Sequence, residues 1–424
     1  MEIIPHSGNF KLILLYLSFF ILSCSTVPWQ RAARSGDTEA QVMADIGYLA
    51  DDKLEGRAFG TKGEMKASGY IAKRFDLLGL QPKGENGTWF QSFTVKKANP
   101  HKVEFDSTVT LGSQTGRNVI AYLDHKASMT MIIGAHYDHL GMGASGSLYM
   151  GPPAIHNGAD DNASGVAMIL ELAERLRNVK KFNYLFIAFT GEENGLWGSN
   201  YYCDHPTLDM KSVTAMLNFD MVGRLNRDTR KMIINGVGTS PVWTGAIKSA
   251  NAGGLNLTTS ESGIGPSDHT SFYLEDMPVL HFFTGAHEDY HKPSDDVHLI
   301  NAEGIDVIAG MVVSLIQQLD SQAKLPFTKT KDPDPSTTPS MEVTLGILPD
   351  YLYDGTGVRV DGVREGKPAE VAGIIKGDVI VKLSGTDLKD IYAYMKVLST
   401  FHKGDKTTVD ILRGEKEMHF DIQF

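Results

Sequence analysis

The stretch that decides the fold is Asn157-Gly158-Ala159-Asp160-Asp161-Asn162-Ala163-Ser164-Gly165, a carboxylate-rich turn that leads into an apolar helix. An apolar run that reaches His136 precedes it, and two more apolar runs follow, one shortly before Glu192-Glu193 and one directly before Asp220. Runs of this kind are typical of strands that are buried on both faces of a sheet. Because parallel strands end at the same edge of a sheet, we expect these polar residues to lie close together.

Predicted strands and helices alternate on both sides of this turn. The strands are expected at residues 89–95, 101–111, 118–123, 129–135, 182–189, 213–219, 231–235 and 278–283. The helices are expected at residues 37–50, 61–79, 163–178, 240–253 and from 301 onward. Thr61-Lys62-Gly63-Glu64 has the pattern of a capping box. The alternation predicts an α/β fold, a three-layer sandwich with a mostly parallel central sheet.

Length and composition bound the possible classes of protein. A chain of 424 residues is too long for one core of ordinary size, so we expect two or three domains. The formal net charge of −11 and the lack of a basic run argue against a nucleic-acid surface. With only Cys24 and Cys203, the chain cannot build a disulfide framework or a thiolate metal site. Any bound metal is therefore expected to be held by histidine and carboxylate.

The N-terminal region is typical of targeting. An apolar run at residues 12–22 is about as long as the core of a signal peptide, and Ile21-Leu22-Ser23-Cys24 ends it. These four residues resemble a bacterial lipobox, which implies cleavage before Cys24 and a lipid on its sulfur. Residues 1–23 are then a lipoprotein signal peptide and residues 24–36 a tether, on the periplasmic or cell-surface side of a membrane. The alternative is an ordinary signal peptide with an incidental cysteine.

The residues at the predicted strand ends favour metal chemistry. His136 and Asp138 are two apart, so an extended backbone points both to one side, where Asp138 can orient the metal-binding ring of His136. Glu192 and Glu193 are adjacent and diverge, so one can bind metal while the other faces the substrate. Asp220 and His291 complete a set that is too large for one tetrahedral zinc with an open position. Two metals that share a carboxylate fit it better.

Five separated motifs resemble the di-zinc aminopeptidases of metallopeptidase family twenty-eight. They are His-x-Asp at 136–138, Gly-Ala-Asp-Asp-Asn-Ala-Ser-Gly at 158–165, Glu-Glu at 192–193, Asn-Phe-Asp-Met at 218–221 and the late His291. Glu55-Gly56-Arg57 also looks like the N-terminal region of that family. The resemblance covers residues 37–322 and implies a phosphorylase/hydrolase-like Zn-exopeptidase fold. The family also includes glutamate carboxypeptidases and glutaminyl cyclases.

The resemblance implies a role for each site residue. Two Zn²⁺ ions would share Asp161, and the remaining metal ligands would be His136 and Asp220 for one ion and Glu193 and His291 for the other. Glu192 would be the general base that takes a proton from the water between the metals. Supporting residues would be Asp138 and Asp160, and Ser267, Asp268 and His269 match a segment near the substrate.

Each motif also has a purely structural explanation. Glu192-Glu193 alone is more often a solvated pair, and Asp160-Asp161 alone is more often a helix start favoured by the dipole. Asn162-Ala163-Ser164 matches a glycosylation acceptor. Five further histidines are expected to be structural or to lie near the rim of the site: His139, His156, His281, His287 and His298.

Residues 341–424 resemble a PDZ domain, and a polar, Pro-rich linker is expected at residues 323–340. Leu345, Gly346, Ile347 and Leu348 match the carboxylate-binding loop, and 377–385 matches the strand and turn of bacterial PDZ modules. The resemblance implies binding of C-terminal peptide tails by strand addition, unless the module only packs on the first domain.

The sequence as a whole predicts a metal-dependent exopeptidase acting on peptides, most simply an aminopeptidase. A different class is also open, a peptide-binding adaptor led by the PDZ module. Glutaminyl cyclisation or carboxypeptidase action on the same scaffold remains a third hypothesis.

Overall fold

The computed structural model describes residue 1 and residues 38–96, 113–143, 146–149, 151–321, 323–330, 343–349, 353, 355–363, 366–389, 391–398 and 400–424. The helices are α1 Thr38–Leu49, α2 Lys62–Leu77, α3 Gly165–Leu176, α4 Trp197–Asp204, α5 Trp243–Ala250, α6 His269–Leu274, α7 Ala302–Gln318, α8 Pro368–Ala372 and α9 Ile391–Leu398. The strands of the first sheet are β1 Gln81–Pro82, β2 Phe90–Lys96, β3 Ser113–Leu123, β4 Thr130–His136, β5 Asn183–Phe189, β6 Val213–Phe219, β7 Lys231–Asn235, β8 Asn256–Thr259 and β9 Val279–Phe283.

The first sheet has the strand order β1-β3-β5-β4-β6-β9-β7-β8, with β2 paired to β3. Its centre is parallel, because β4 pairs in parallel with both β5 and β6, and β6 pairs in parallel with β9. The edges are mixed, since β3 runs antiparallel to β5 and β7 runs antiparallel to β9. The predicted α/β fold with a mostly parallel central sheet is therefore confirmed.

Helices cover both faces of this sheet. Alternate residues of β4 enter different cores: Met131 and Ile133 pack with α1, α3 and α7, whereas Ile132 packs with residues of α4 and α6. On that second face, the rings of Tyr202 in α4 and Phe272 in α6 lie 6.0 Å apart. The period of two along a strand thus separates two cores, which is what a three-layer sandwich requires.

Helix α2 begins as predicted, but only half of the expected capping box forms. The Thr61 hydroxyl accepts a hydrogen bond from the backbone N–H of Glu64 at 3.3 Å. The Glu64 carboxylate does not return to Thr61; it is buried and accepts from the Tyr137 hydroxyl at 2.5 Å and from the Arg117 N–H at 3.2 Å. The Glu64 carboxylate therefore bonds to residues outside the helix and does not cap the end of α2.

Other differences from the prediction are local. Helices α4 and α6 and strand β8 were not expected, and the strand predicted at residues 101–111 lies outside the described residues. The linker was predicted at residues 323–340, but residues 323–330 pack against the first domain. Leu325 is buried in its main core and its N–H donates to the Thr214 hydroxyl at 2.9 Å.

A second, smaller unit has its own sheet and core. Its strands are β10 Ile347–Pro349, β11 Val358–Val363, β12 Val379–Leu383, β13 Thr386–Asp387, β14 Lys406–Arg413 and β15 Lys416–Gln423. Val360, Ile380 and Ile411 are buried in this core, which shares no residue with the cores of the first domain. Strand β10 lies at one end of the strand order. Within the described residues, no helix is both long and apolar enough to cross a bilayer.

Candidate metal centre

Three strand ends and one turn bring acidic and histidine side chains together at the carboxyl edge of the parallel strands. His136 is the last residue of β4, and Asp220 follows the last residue of β6. Asp161 lies in the turn Ala159–Ser164, which precedes α3. The Nε2 atom of His136 lies 3.4 Å from Asp161 Oδ1 and 3.4 Å from Asp220 Oδ1. We call this group the first position.

A second group lies on the other side of the Asp161 carboxylate. The Nε2 atom of His291 lies 3.1 Å from Asp161 Oδ2 and 3.2 Å from Glu193 Oε2. Asp161 therefore offers one oxygen to His136 and the other to His291, and we call the group with His291 and Glu193 the second position. This arrangement is what a carboxylate shared by two ions requires.

Both histidines have the tautomer that a metal ligand needs. The Nδ1–H of His136 donates to the Asp138 carbonyl oxygen at 3.2 Å, and the Nδ1–H of His291 donates to the Gly146 carbonyl oxygen at 2.9 Å. A neutral ring that donates through Nδ1 leaves a lone pair on Nε2, and in both residues Nε2 faces two carboxylate oxygens. A cation between these atoms would turn mutual repulsion into ligation, so the donor set fits a metal.

The spacing of the donor atoms also fits zinc. Ligands that lie about 2.0–2.1 Å from one tetrahedral ion are about 3.3 Å from one another. The distances in both positions, 3.1–3.4 Å, are close to that value.

His139 is a second histidine at the second position, where it forms a metal-competent group with Asp161 and Glu193. Its Nδ1 lies only 2.7 Å from Glu193 Oε1, which is a hydrogen-bond distance and too short for two ligands of one ion. His139 is therefore suited to orienting Glu193 by a hydrogen bond. His291 is better suited to binding the ion. The expectation that His139 is structural or near the rim missed this contact.

The predicted supporting residues lie beside the ligands, with one difference in detail. The Asp138 carboxylate is 3.7 Å from the His136 ring, and it is the Asp138 backbone carbonyl that accepts from the ring. The Asp138 carboxylate instead accepts the Glu192 N–H at 3.2 Å. Asp160 accepts from the Gly223 N–H at 2.7 Å and contacts His287 Nε2 at 3.1 Å, so it stabilises the turn from behind.

The turn that carries Asp161 is fastened to the end of β6. The Asn162 side chain donates to the Phe219 carbonyl at 3.0 Å and accepts from the Met221 N–H at 3.1 Å. The Ser164 hydroxyl donates to the Asp160 carbonyl and accepts from the Val222 N–H. Asn162 is fully buried, which is incompatible with a role as a glycosylation acceptor. The Asp161–Asn162 peptide bond is cis.

Glu192 lies next to the first position and is not a ligand in this arrangement. One of its carboxylate oxygens is 3.9 Å from His136 Nε2. Burial, opposed by His136 and reinforced by Asp220, raises the pKa of Glu192 well above its ordinary value. A carboxylate with a raised pKa is a stronger base, which suits it to accepting a proton at this place.

The ligand carboxylates respond differently because histidines face them. Burial acts to raise the pKa of Asp161, but His139, His136 and His291 outweigh it and hold that pKa well below its ordinary value. Burial likewise opposes ionisation of Glu193, yet His291 and His139 lower its pKa to about 2. Two adjacent glutamates thus acquire different protonation behaviour, as the divergence of their side chains predicts.

Sequence comparison matches two parts of the chain to known domain families. A profile described as peptidase family M28 matches residues 118–316, and a profile described as a PDZ domain matches residues 327–424. The chain carries a peptidase family M28 domain. It is 28% identical over 232 residues to aminopeptidase YwaD from Bacillus subtilis, an alignment that covers 52% of this chain and 48% of that protein. The chain thus spans about half the length of this curated relative.

Solved structures show the same fold. Aminopeptidase LapA of Legionella pneumophila is 19% identical with a TM-score of 0.51, covering 75% of this chain and 80% of LapA. A glutaminyl cyclase of Bacteroides thetaiotaomicron is 16% identical with a TM-score of 0.53, covering 67% of this chain and 98% of the cyclase. Proteins with both names share this fold, so the fold alone does not separate the two activities.

The segment of the M28 domain predicted to lie near the substrate is buried beside the first position. Ser267 accepts from the Asn218 side-chain amide at 2.8 Å. Burial raises the pKa of Asp268 to about 7, with His136 opposing that shift and Asp138 and Asp220 adding to it. The ring of His269 stacks on His281 with 4.5 Å between centroids, and burial lowers the pKa of His281 to about 4.

The remaining predicted residues belong to the PDZ domain, apart from Cys24. Leu345 is fully buried in the core of the PDZ domain, and Gly346 has a φ of +81° that favours glycine. Ile347 begins β10, which also contains Leu348. Cys24 lies outside the described residues.

Four residues of the first domain contribute to the candidate centre without having been assigned to it from sequence: Arg57, His139, His287 and Asp295. Arg57 was noted only as part of a family segment, and the two histidines were grouped with structural ones. Asp295 follows His291 by four residues, and that proximity was the only available signal. Their contacts join segments about 100 residues or more apart in several cases, so no local pattern reveals them.

Proposed function

We propose that the chain is a metal-dependent aminopeptidase that removes N-terminal residues from peptides at a centre of two zinc ions. The observation that carries the proposal is the sharing of Asp161 between His136 and His291, each of which also faces one further carboxylate. The name of the relative YwaD supports the same activity. Ions at the two positions would lower the pKa of a bound water and polarise the scissile carbonyl.

The side chains of the chain supply the remaining chemistry. The Glu192 carboxylate would accept a proton from the attacking water and pass it to the leaving amine, a task for which its raised pKa is suited. His136, Asp161, Asp220, Glu193 and His291 would hold the ions, with Asp138 and Asp160 supporting them. Ser267, Asp268 and His269, which are buried beside the first position, would lie near the substrate without being exposed to it.

A substrate panel tests this proposal. It contains aminoacyl anilides, N-blocked peptides, peptides with a free C-terminus and peptides with an N-terminal glutamine, each with and without a chelator. We expect hydrolysis of the unblocked aminoacyl substrates, its loss with chelator and its return with Zn²⁺. Cyclisation of N-terminal glutamine without hydrolysis of other peptides would replace the proposal by a glutaminyl cyclase. Cleavage only at free C-termini would make the protein a carboxypeptidase.

A second function is favoured for the PDZ domain. Strand β10 pairs only with β11 among the described residues and lies at the end of the sheet, so its other edge can accept a peptide strand. We propose that this edge binds C-terminal peptide tails. Retention of labelled C-terminal peptides by the full chain in the presence of chelator would support it, and equal retention of C-terminally amidated peptides would contradict it.

We also propose that the protein is an extracytoplasmic lipoprotein anchored through Cys24. The proposal is supported by the Ile21-Leu22-Ser23-Cys24 sequence alone. Expression in a bacterial host, followed by mass spectrometry of the N-terminal peptide, should find diacylglycerol on Cys24. Cleavage at another site, or the same membrane retention for Cys24→Ser, would contradict it.

A further inference from the structure

We propose that Arg57 and Asp295 form a clamp on the turn at residues 157–161 and thereby position Asp161 between the two metal positions. In this role both are positioning residues, because neither is among the ligands. The inference rests on the proposed metal centre and adds the two residues that set its geometry. Arg57 also lies outside residues 118–316, the part of the chain that the M28 profile matches.

Arg57 is a fully buried cation whose four hydrogen bonds all go to backbone carbonyls. Two of these carbonyls belong to the turn: Nη1 donates to Asn157 at 2.6 Å and Nη2 to Gly158 at 3.1 Å. The Nε–H donates to the Tyr137 carbonyl at 2.8 Å, directly after the ligand His136. The fourth acceptor is the Leu49 carbonyl at the end of α1. One guanidinium therefore joins the segments that carry His136 and Asp161.

Asp295 holds the same turn as a hydrogen-bond acceptor, whereas Arg57 holds it as a donor. Its Oδ2 accepts the N–H groups of Asp160 and Asp161, both at 3.0 Å. Its own backbone carbonyl accepts the Ala159 N–H at 3.2 Å. The carboxylate is buried and lies four residues after His291, so it links the turn to the segment that carries the ligand of the second position.

The two residues are complementary on one short piece of backbone. Arg57 donates to the carbonyl groups of Asn157 and Gly158, and Asp295 accepts from the N–H groups of Asp160 and Asp161. The peptide units of the turn are therefore fixed from both ends. Charged donors and acceptors make stronger hydrogen bonds than neutral ones, and a planar guanidinium fixes direction as well as distance. Burial lowers the pKa of Arg57 to about 10. The carboxylates that oppose this shift, with Asp161 the strongest, belong to the candidate metal centre or to the clamp itself.

The backbone around Arg57 is shaped for this contact. Arg57 has a φ of +50°, and the preceding Gly56 has a φ of +68°. A Cβ atom at Gly56 would lie 2.5 Å from the His156 carbonyl oxygen, so only glycine allows the loop to approach the segment before Asn157 so closely.

The test compares Arg57→Lys, Arg57→Met and Asp295→Asn with Arg74→Met and Asp45→Asn in the full chain. Arg74 and Asp45 are matched controls, since they form a buried ion pair at 2.7 Å between α1 and α2. Four readouts are measured: Zn²⁺ affinity by chelator competition, the absorption spectrum of the Co²⁺-loaded protein, amide hydrogen exchange at residues 157–164 without metal, and thermal unfolding.

We expect each clamp variant to lose about tenfold to hundredfold in Zn²⁺ affinity, the range typical of groups that orient ligands. The Co²⁺ spectrum should change and exchange at the turn should accelerate. Arg57→Lys should recover only part of the affinity, because an ammonium cannot reach all four carbonyls in the plane of a guanidinium. The control variants should lower thermal stability while Zn²⁺ affinity and the Co²⁺ spectrum stay at wild-type values.

Unchanged Zn²⁺ affinity and Co²⁺ spectrum in Arg57→Lys and Asp295→Asn would overturn the clamp, even if their thermal stability fell. If Arg57→Met does not fold, the two milder variants still decide. Wild-type protein that binds two Zn²⁺ ions without hydrolysing any substrate of the panel would end the proposed peptidase function and leave the clamp to be judged by the metal readouts. Exchange at the turn, measured without metal, judges the clamp separately from both.

Discussion

The two proposed metal positions share Asp161 but are built in different ways. The first uses His136 and Asp220, which sit at or directly after the ends of neighbouring strands β4 and β6. The second uses Glu193, four residues beyond β5, and His291, which lies in a loop with a φ of +54°. The His136 side chain is 1% exposed, whereas that of His291 is 13% exposed.

This difference separates what the sheet supplies from what loops supply. Parallel strands fix the first position through their ladder of backbone hydrogen bonds. The second position depends on side-chain and loop contacts, such as the hydrogen bonds from His139 to Glu193 and from His291 to the Gly146 carbonyl. We expect the first position to bind metal more tightly, with Asp161 coupling the two.

The largest effect is expected from Asp161→Ala, which removes the carboxylate shared by both positions. Activity should fall by more than about 10⁴-fold, roughly 5.5 kcal/mol of transition-state stabilisation, and metal analysis should find both ions lost. Asp378→Asn is the control, because Asp378 is an equally buried carboxylate that pairs with Arg413 in the PDZ domain. Retention of one tightly bound ion in Asp161→Ala would contradict a shared ligand.

Glu192→Gln should come next in size and should leave both metal positions intact. The amide cannot accept a proton, so kcat should fall by about 10²- to 10⁴-fold with little change in KM. Metal content, measured by elemental analysis, should match the wild type. Full turnover in this variant would remove Glu192 from the mechanism, and loss of an ion would make it a ligand.

His136→Ala and His291→Ala should distinguish the positions directly. Each should lose one ion and about 10²- to 10³-fold of activity, several kcal/mol of electrostatic stabilisation. Because the first position lies between strand ends, His136→Ala should have the lower residual affinity for the remaining ion. His298→Ala, at a histidine outside the site, provides the control. Equal loss of both ions in either variant would show that the positions are not separable.

Partial chelation should empty the positions in order. The histidine of the second position is more exposed than that of the first, and loops hold the second position, so its ion should leave at least about ten times faster than the ion of the first position. Stopped-flow chelation followed by metal analysis measures the two phases. A single phase would contradict release in order. If the ion released first is the one that His136→Ala lacks, the second position is the tighter one.

The smallest effect is expected from deletion of residues 341–424. Among the described residues, the core of the PDZ domain is built only from residues between 343 and 422, and the cores of the first domain from residues between 42 and 325. We therefore expect kcat/KM for small aminoacyl substrates to change by less than about twofold, within roughly 0.4 kcal/mol. Binding of C-terminal peptides should disappear in the same variant. Loss of peptidase activity in a well-folded deletion protein would show that the metal centre depends on the second domain.

Much of the fold could be predicted because its signals are local. Continuous apolar runs such as 129–135 and 182–189 indicate strands buried on both faces, and the structure has strands there. The short elements α4, α6 and β8 were missed because their sequences lack a clear period. The capping box at Thr61 was half right, since Glu64 satisfies the buried hydroxyl of Tyr137 instead of its own helix end.

The site was predictable to a similar extent. Four of the five proposed ligands lie at or after a strand end or in a motif of adjacent residues, so their types and positions are visible in the chain. The fifth, His291, lies in a loop and was added because it completes the set. The residues that orient them are not. His139 was grouped with structural histidines, although its ring donates to Glu193, a residue 54 positions away.

The sequence by itself determined the α/β class, the two modules and the proposed set of metal ligands, because each is encoded in short patterns of polarity. Only the tertiary structure decided how Asn157-Gly158-Ala159-Asp160-Asp161 is held. That turn takes its shape from Arg57, about 100 residues before it, and from Asp295, about 135 residues after it. Hydrogen bonds between such distant segments form only when the whole sheet is assembled, so no window of sequence contains them.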